Sequence, residues 1–181
     1  MAAMQSFITT ALIGTIVVTD THKEGNLDIK HPIKKIVVYR RNVVDGLSIT
    51  YQLTGGKELT TTHGYNPSTP ASAHTVTLSD TERLVGVFGI NGYHGSYKRI
   101  VFLRVVFVIF DAVTASTRIV DPFSSGHGGS AVPEAEANKN AVETTEFYVS
   151  DVVAFGGFHT PGTEQGTGID GLFFYKNIGT Q

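Results

Sequence analysis

The sequence predicts an all-β chain, and three observations carry that prediction. Apolar and polar residues alternate in steps of two, as Leu47, Ile49, Tyr51 and Leu53 do against Ser48, Thr50 and Gln52, the period of a half-buried strand. Turn formers are plentiful, with 20 glycines and 6 prolines in 181 residues, and they break the chain about every eight to twelve positions. Helix signals are nearly absent. The stretch 133–142 (PEAEANKNAV) opens on proline and two early glutamates but carries no apolar face, so a solvated loop or single turn is expected. Short strands at this density indicate an antiparallel sandwich, barrel or prism.

Residues 7–18 (FITTALIGTIVV) read as a first strand, because threonines and a β-branched run favour extended backbone. The segment is too short to cross a bilayer and no basic residue precedes it, so neither a membrane span nor a signal sequence is expected. A cytoplasmic or non-classically secreted protein follows. Residues 33–39 form the next strand, and 47–53 another. Gly55-Gly56 supplies the turn that lets 57–60 return as its partner. Further strands are expected at 74–78, 83–89, 97–110, 116–120, 147–158 and 171–176. The run from Ile100 to Phe110 is apolar on both faces apart from Arg104 and belongs at the centre of the core. Residues 124–145 are polar and read as a long loop inside one domain spanning 1–181. Val44-Asp45-Gly46-Leu47 recurs as Ile169-Asp170-Gly171-Leu172, and Lys34-Lys35-Ile36-Val37-Val38 is echoed by Lys98-Arg99-Ile100-Val101-Phe102. Such echoes suggest hairpin units repeated around a pseudo-symmetric core.

Composition excludes several functions. Fourteen Lys+Arg against sixteen Asp+Glu give a net charge of −2, which is no footprint for nucleic acid. The absence of cysteine removes disulfides, thiolate metal sites and cysteine catalysis together. Seven histidines (His22, His31, His63, His74, His94, His127, His159) lack ligand spacing, so no metal or other cofactor is expected. Phosphate-binding, dinucleotide-binding and nucleophile-elbow motifs are missing. Ser125 and His127 lie close together, but in a glycine-rich loop that does not fix a nucleophile against its base. No pair of facing carboxylates for glycoside cleavage is indicated. A non-catalytic protein is expected.

Gly166-Thr167-Gly168-Ile169-Asp170 stands out. Glycines let the backbone turn and a ligand ring approach closely. Successive N–H groups can then point at one spot beside a carboxylate that accepts several hydrogen bonds, a combination that matches vicinal sugar hydroxyls. The same residues also suit a plain turn whose aspartate satisfies local backbone donors.

In context, this arrangement resembles the jacalin-related lectins, which carry a Gly-x-x-x-Asp loop just before their final strand, as Gly166–Asp170 precedes Gly171-Leu172-Phe173-Phe174-Tyr175 here. Ile33-Lys34-Lys35-Ile36-Val37-Val38 with Val43-Val44-Asp45-Gly46-Leu47-Ser48-Ile49-Thr50-Tyr51 is similar to the family's early hairpin. Gly92-Tyr93-His94-Gly95, Asp121-Pro122-Phe123 and Val153-Ala154-Phe155-Gly156-Gly157-Phe158 fall at similar places. The likeness is to the mannose-binding branch, mushroom members included. It implies a β-prism I fold, three Greek-key antiparallel sheets with pseudo-threefold symmetry. It also implies binding of mannose- or glucose-type glycans: Asp170 would accept from O4 and O6, and the N–H groups of Thr167 and Gly168 would donate to O5 and O6. Gly25 is the candidate for the early-loop glycine that completes the pocket, with Gly166 and Ile169 shaping the loop. A second sugar site, known in some relatives, would fall on Asn42, Val43, Asp45 and Gly64, with Arg41 standing where the family has glycine. Multivalent binding by a homo-oligomer is implied, or else a β-prism assembly module whose sugar loop is vestigial. For a loop of this kind, Asp170→Ala is expected to abolish binding and leave folding unchanged.

Overall fold

The computed structural model describes residues 5–14, 19–20, 26–41, 43–64, 73–124, 141–159 and 168–180. Thirteen strands occur among them: β1 (Gln5–Thr9), β2 (Ile13–Gly14), β3 (Thr19–Asp20), β4 (Ile33–Arg40), β5 (Val44–Gln52), β6 (Glu58–Gly64), β7 (Ala73–Thr77), β8 (Glu82–His94), β9 (Arg99–Asp111), β10 (Ser116–Val120), β11 (Ala141–Ser150), β12 (Val152–His159) and β13 (Ile169–Thr180). They form three antiparallel sheets. One has the order β6-β5-β4-β7 and the next β10-β9-β8-β11. The third is composite, β1-β13-β12-β3, with β2 also pairing with β13. In each sheet the two inner strands are consecutive in the chain and the outer strands flank them in the same pattern. This threefold repetition of a Greek key is the β-prism that the family resemblance implies.

All three sheets turn an apolar face toward one core. Ile36, Val38, Leu47 and Ile49 enter it from the first sheet, Val87, Val105, Phe107 and Ile109 from the second, and Ala154, Phe155, Leu172 and Phe174 from the composite one, each fully buried. Complete burial of a side chain of this size contributes about 1.5–3 kcal/mol. Phe155 and Phe174 meet edge to face with ring centres 5.2 Å apart. The buried Tyr51 hydroxyl accepts the N–H of Phe155 at 3.0 Å, joining the first sheet to the composite one. Ser48 and Thr50 stand on the other face of β5, where they are buried but satisfied by the hydroxyls of Thr62 and Thr60 across the ladder, at 2.6 and 2.9 Å. Arg104 is the charged exception in the apolar run, and its guanidinium meets the Asp121 carboxylate at 2.5 Å.

Four expectations change. The strand expected at 7–18 is divided into β1 and β2, and residues 15–18 lie outside those described. The strand expected at 147–158 is two strands, because Asp151 takes a φ of 57° and sends the chain from β11 in one sheet to β12 in another. Residues 141–145, expected as loop, begin β11; on a sheet edge they face solvent and carry no alternation. The Lys34 echo joins non-equivalent places, since it lies on β4 whereas Lys98 and Arg99 lead into β9, the counterpart of β5. The Asp45 and Asp170 echo does join equivalent inner strands. Most of the stretch 133–142, together with Ser125 and His127, lies outside the described residues.

Candidate carbohydrate site

The two echoed aspartates are the second residues of β5 and β13, so both stand at the same end of the prism. Each is built into the same frame. Gly46, after Asp45, pairs with Gly64 on β6, and Gly171, after Asp170, pairs with Gly14 on β2. Gly64 and Gly14 have φ of +81° and +95°, where side chains are strained. A β-carbon on Gly64 would lie 2.6 Å from the Asp45 carbonyl oxygen, and one on Gly14 would collide with that of Asp170. The outer-strand glycine therefore lets the backbone close down on the aspartate's own peptide in both sheets.

The two corners touch. A β-carbon on Gly168 would sit 2.9 Å from the Val44 carbonyl oxygen and 3.7 Å from Val43, while one on Gly64 would sit 2.9 Å from the Ile169 side chain. Val43 in turn packs with Val101, Leu103 and Tyr97 at the third hairpin. The structure thus brings together Gly168, Ile169, Asp170, Val43, Asp45 and Gly64. Gly25, Asn42, Gly166 and Thr167 lie outside the described residues. Asn26, next to Gly25, accepts the Thr54 N–H at 2.8 Å, at the end of β5 remote from Asp45. The glycine that closes on Asp170 is Gly14, which sequence reasoning missed; its signal was an isolated glycine inside an apolar strand pattern, a mark of close backbone approach.

Both carboxylates are buried against arginine. Arg41 grips Asp45 with two bonds, Nε to Oδ2 at 2.9 Å and Nη2 to Oδ1 at 3.0 Å. Arg99, from the β8–β9 hairpin, places Nη1 3.2 Å from Oδ1 of Asp170. Arg41 is the residue that stands where the family resemblance expects glycine; Arg99 carries no signal in the sequence, because only the fold brings residue 99 to residue 170. Removal of Asp170 therefore strips a buried partner from Arg99, so Asp170→Ala is now expected to cost stability as well as binding. His94, across the ladder from Arg99, is held below the ordinary imidazole range by burial. Among the described residues no cluster of three or more His, Cys, Asp or Glu is placed to hold a metal ion.

Three Greek-key sheets around one core, two of them carrying this corner, define a β-prism. The Jacalin-like lectin domain family matches residues 19–160, and the chain belongs to that family. No curated protein matches the sequence significantly. Among solved structures, a mannose-specific jacalin-related lectin from Morus nigra in complex with mannose is similar with a TM-score of 0.61 and 19% identity, covering 98% of each chain. AcmJRL, a mannose-binding jacalin-related lectin from Ananas comosus, has a TM-score of 0.60 and 18% identity, covering 93% of this chain and 96% of its own. Artocarpin, solved with mannotriose, has a TM-score of 0.56 and 16% identity over 92% of this chain and 95% of its own. These likenesses concern the fold. The relatives named are plant lectins or jacalin-related proteins and lend no support to the mushroom affinity.

Proposed function

We propose that the chain is a non-catalytic lectin that binds mannose- or glucose-type glycans at the loop ending in Asp170. The observation that carries this reading is the frame built twice at one end of the prism, a buried aspartate closed under a positive-φ glycine on the neighbouring strand. In this reading the Asp170 carboxylate accepts from sugar hydroxyls and the N–H groups of Thr167 and Gly168 donate to the ring. Mannose binding by structurally similar lectins agrees with it. A monosaccharide held by a few hydrogen bonds is expected to bind at about millimolar affinity, about −4 kcal/mol. Useful recognition then comes from several sites on a homo-oligomer.

Calorimetric titration of methyl α-mannoside against methyl α-galactoside tests the reading. The mannoside is expected to bind and the galactoside not. Asp170→Asn, which keeps the shape of the corner, is expected to weaken mannoside binding at least about tenfold, because it replaces a charged acceptor with a neutral amide. Wild-type affinity in that variant refutes the assignment. The second reading, an assembly module with a vestigial sugar loop, draws on the arginine held against each carboxylate. A silent glycan array together with a tight protein partner would select it.

A further inference from the structure

Asp170 is central to the proposed sugar site, yet its side chain is only 2% exposed, whereas that of Arg99 is 21% exposed. The guanidinium is thus the more exposed member of an ion pair whose nitrogen and oxygen lie 3.2 Å apart. Arg99 is also held firmly. It opens β9 directly across from His94. The turn before it is fixed by the N–H groups of Tyr97 and Lys98, which both donate to the His94 carbonyl at 3.1 and 2.8 Å. The His94 and Tyr97 rings lie 4.5 Å apart, and Tyr97 packs against the cluster that contains Val43. The second sheet thus delivers a cation, on a braced hairpin, to a corner otherwise built by the composite sheet.

We propose that Arg99 is a specificity-determining residue of this site, sharing one ligand hydroxyl with Asp170. The inference rests on the sugar-site reading of the loop at residues 166–170. A carboxylate only accepts hydrogen bonds, a guanidinium only donates them, and a hydroxyl does both. One hydroxyl placed between the two gives its proton to Asp170 and takes an N–H from Arg99. A group that only donates or only accepts bonds one member of the pair and gains nothing from the other. The pair therefore reads a free hydroxyl at one ring position, O4 or O6, and rejects a sugar that lacks it. The arginine at Asp45 comes from its own loop and binds both carboxylate oxygens.

The test is a cycle between protein and ligand. Methyl α-mannoside and its 4-deoxy and 6-deoxy derivatives are titrated into the wild type, Arg99→Ala, Arg99→Lys and Asp170→Asn, with thermal unfolding of each recorded. In the wild type one of the deoxy sugars is expected to bind at least about tenfold more weakly than the parent, through the loss of charge-assisted hydrogen bonds. Arg99→Ala is expected to weaken the parent about tenfold and to erase most of that deoxy penalty, because hydroxyl and guanidinium act as one coupled pair. Arg99→Lys, which keeps a charge beside the buried carboxylate, recovers part of the parent affinity and carries the test if the alanine variant does not fold. If Arg99→Ala and Arg99→Lys keep both the parent affinity and the deoxy penalty while Asp170→Asn loses binding, the role of Arg99 is wrong and the site stands. If Asp170→Asn binds like the wild type, or the wild type binds no mannoside, the site reading falls and takes this proposal with it.

Discussion

Gly64 and Gly55 share nearly the same backbone, with φ of +81° and +85°, but not the same surroundings. Nothing lies within 4 Å of a β-carbon on Gly55, so Gly55→Ala carries only the left-handed cost of about 1–2 kcal/mol. At Gly64 the obstacle is a backbone oxygen at 2.6 Å and the Ile169 side chain at 2.9 Å, neither able to swing away cheaply. Gly64→Ala is expected to cost about 3–5 kcal/mol, read as a much larger drop in the urea midpoint than for Gly55→Ala. Arg41 sets a second expectation at this scale. Its two bonds tie up both oxygens of Asp45, so calorimetry on the wild type should give one mannoside per chain. Arg41→Gly should raise the stoichiometry toward two; an unchanged value would show that the second corner is closed for another reason. The residues that sequence could nominate were those on contiguous motifs. Asp170 and Asp45 were legible because a short string recurs around them. Gly14 and Arg99 were not, because their relevance comes from contacts with Gly171 and Asp170, far along the chain from each.

The β8–β9 hairpin links stability to pH through His94. Burial keeps its imidazole below the ordinary range, and its Nδ1 has no hydrogen-bond partner among the described residues. The unfolded chain takes up this proton first, so the stability tied to neutral His94 is complete above about pH 6.5 and is lost as the pH falls below it toward the depressed folded value. Protonation would also set a cation directly across the ladder from Arg99, beside Lys98. The urea midpoint is therefore expected to fall between about pH 7.5 and pH 5.5, and His94→Phe should flatten that decline. A wild type and variant with parallel pH profiles would show that His94 is not the group responsible. At this scale the inner strands were the legible ones, since burial on one face or both leaves an apolar signature, as in β5 and β9. Edge strands left little trace. Residues 142–145 are exposed because water, not a core, lies against them, and nothing in the Val-Glu-Thr-Thr pattern separates such an edge from a loop.

Three Greek keys share one core, yet their loops have diverged. Aspartate heads the inner strand in two of them, whereas the third contributes an arginine to its neighbour's corner. The architecture was open at the level of alternation and turns, which allow a sandwich, a barrel or a prism equally. Likeness to a known family narrowed it, and the strand orders settle it. Periodicity alone does not reveal which strand lies beside which, because that choice rests on contacts between segments far apart in the chain.

The composite sheet has one more consequence. Its outer members β1, β2 and β3 come before the other two Greek keys in the chain, while β12 and β13 come after them, so that Thr9 lies opposite Tyr175. During synthesis both remaining sheets can close while the early strands still wait, unpaired, for their partners to leave the ribosome. The corner holding Asp170 is thus the last of the described features to come into being, and it waits until translation has passed β13.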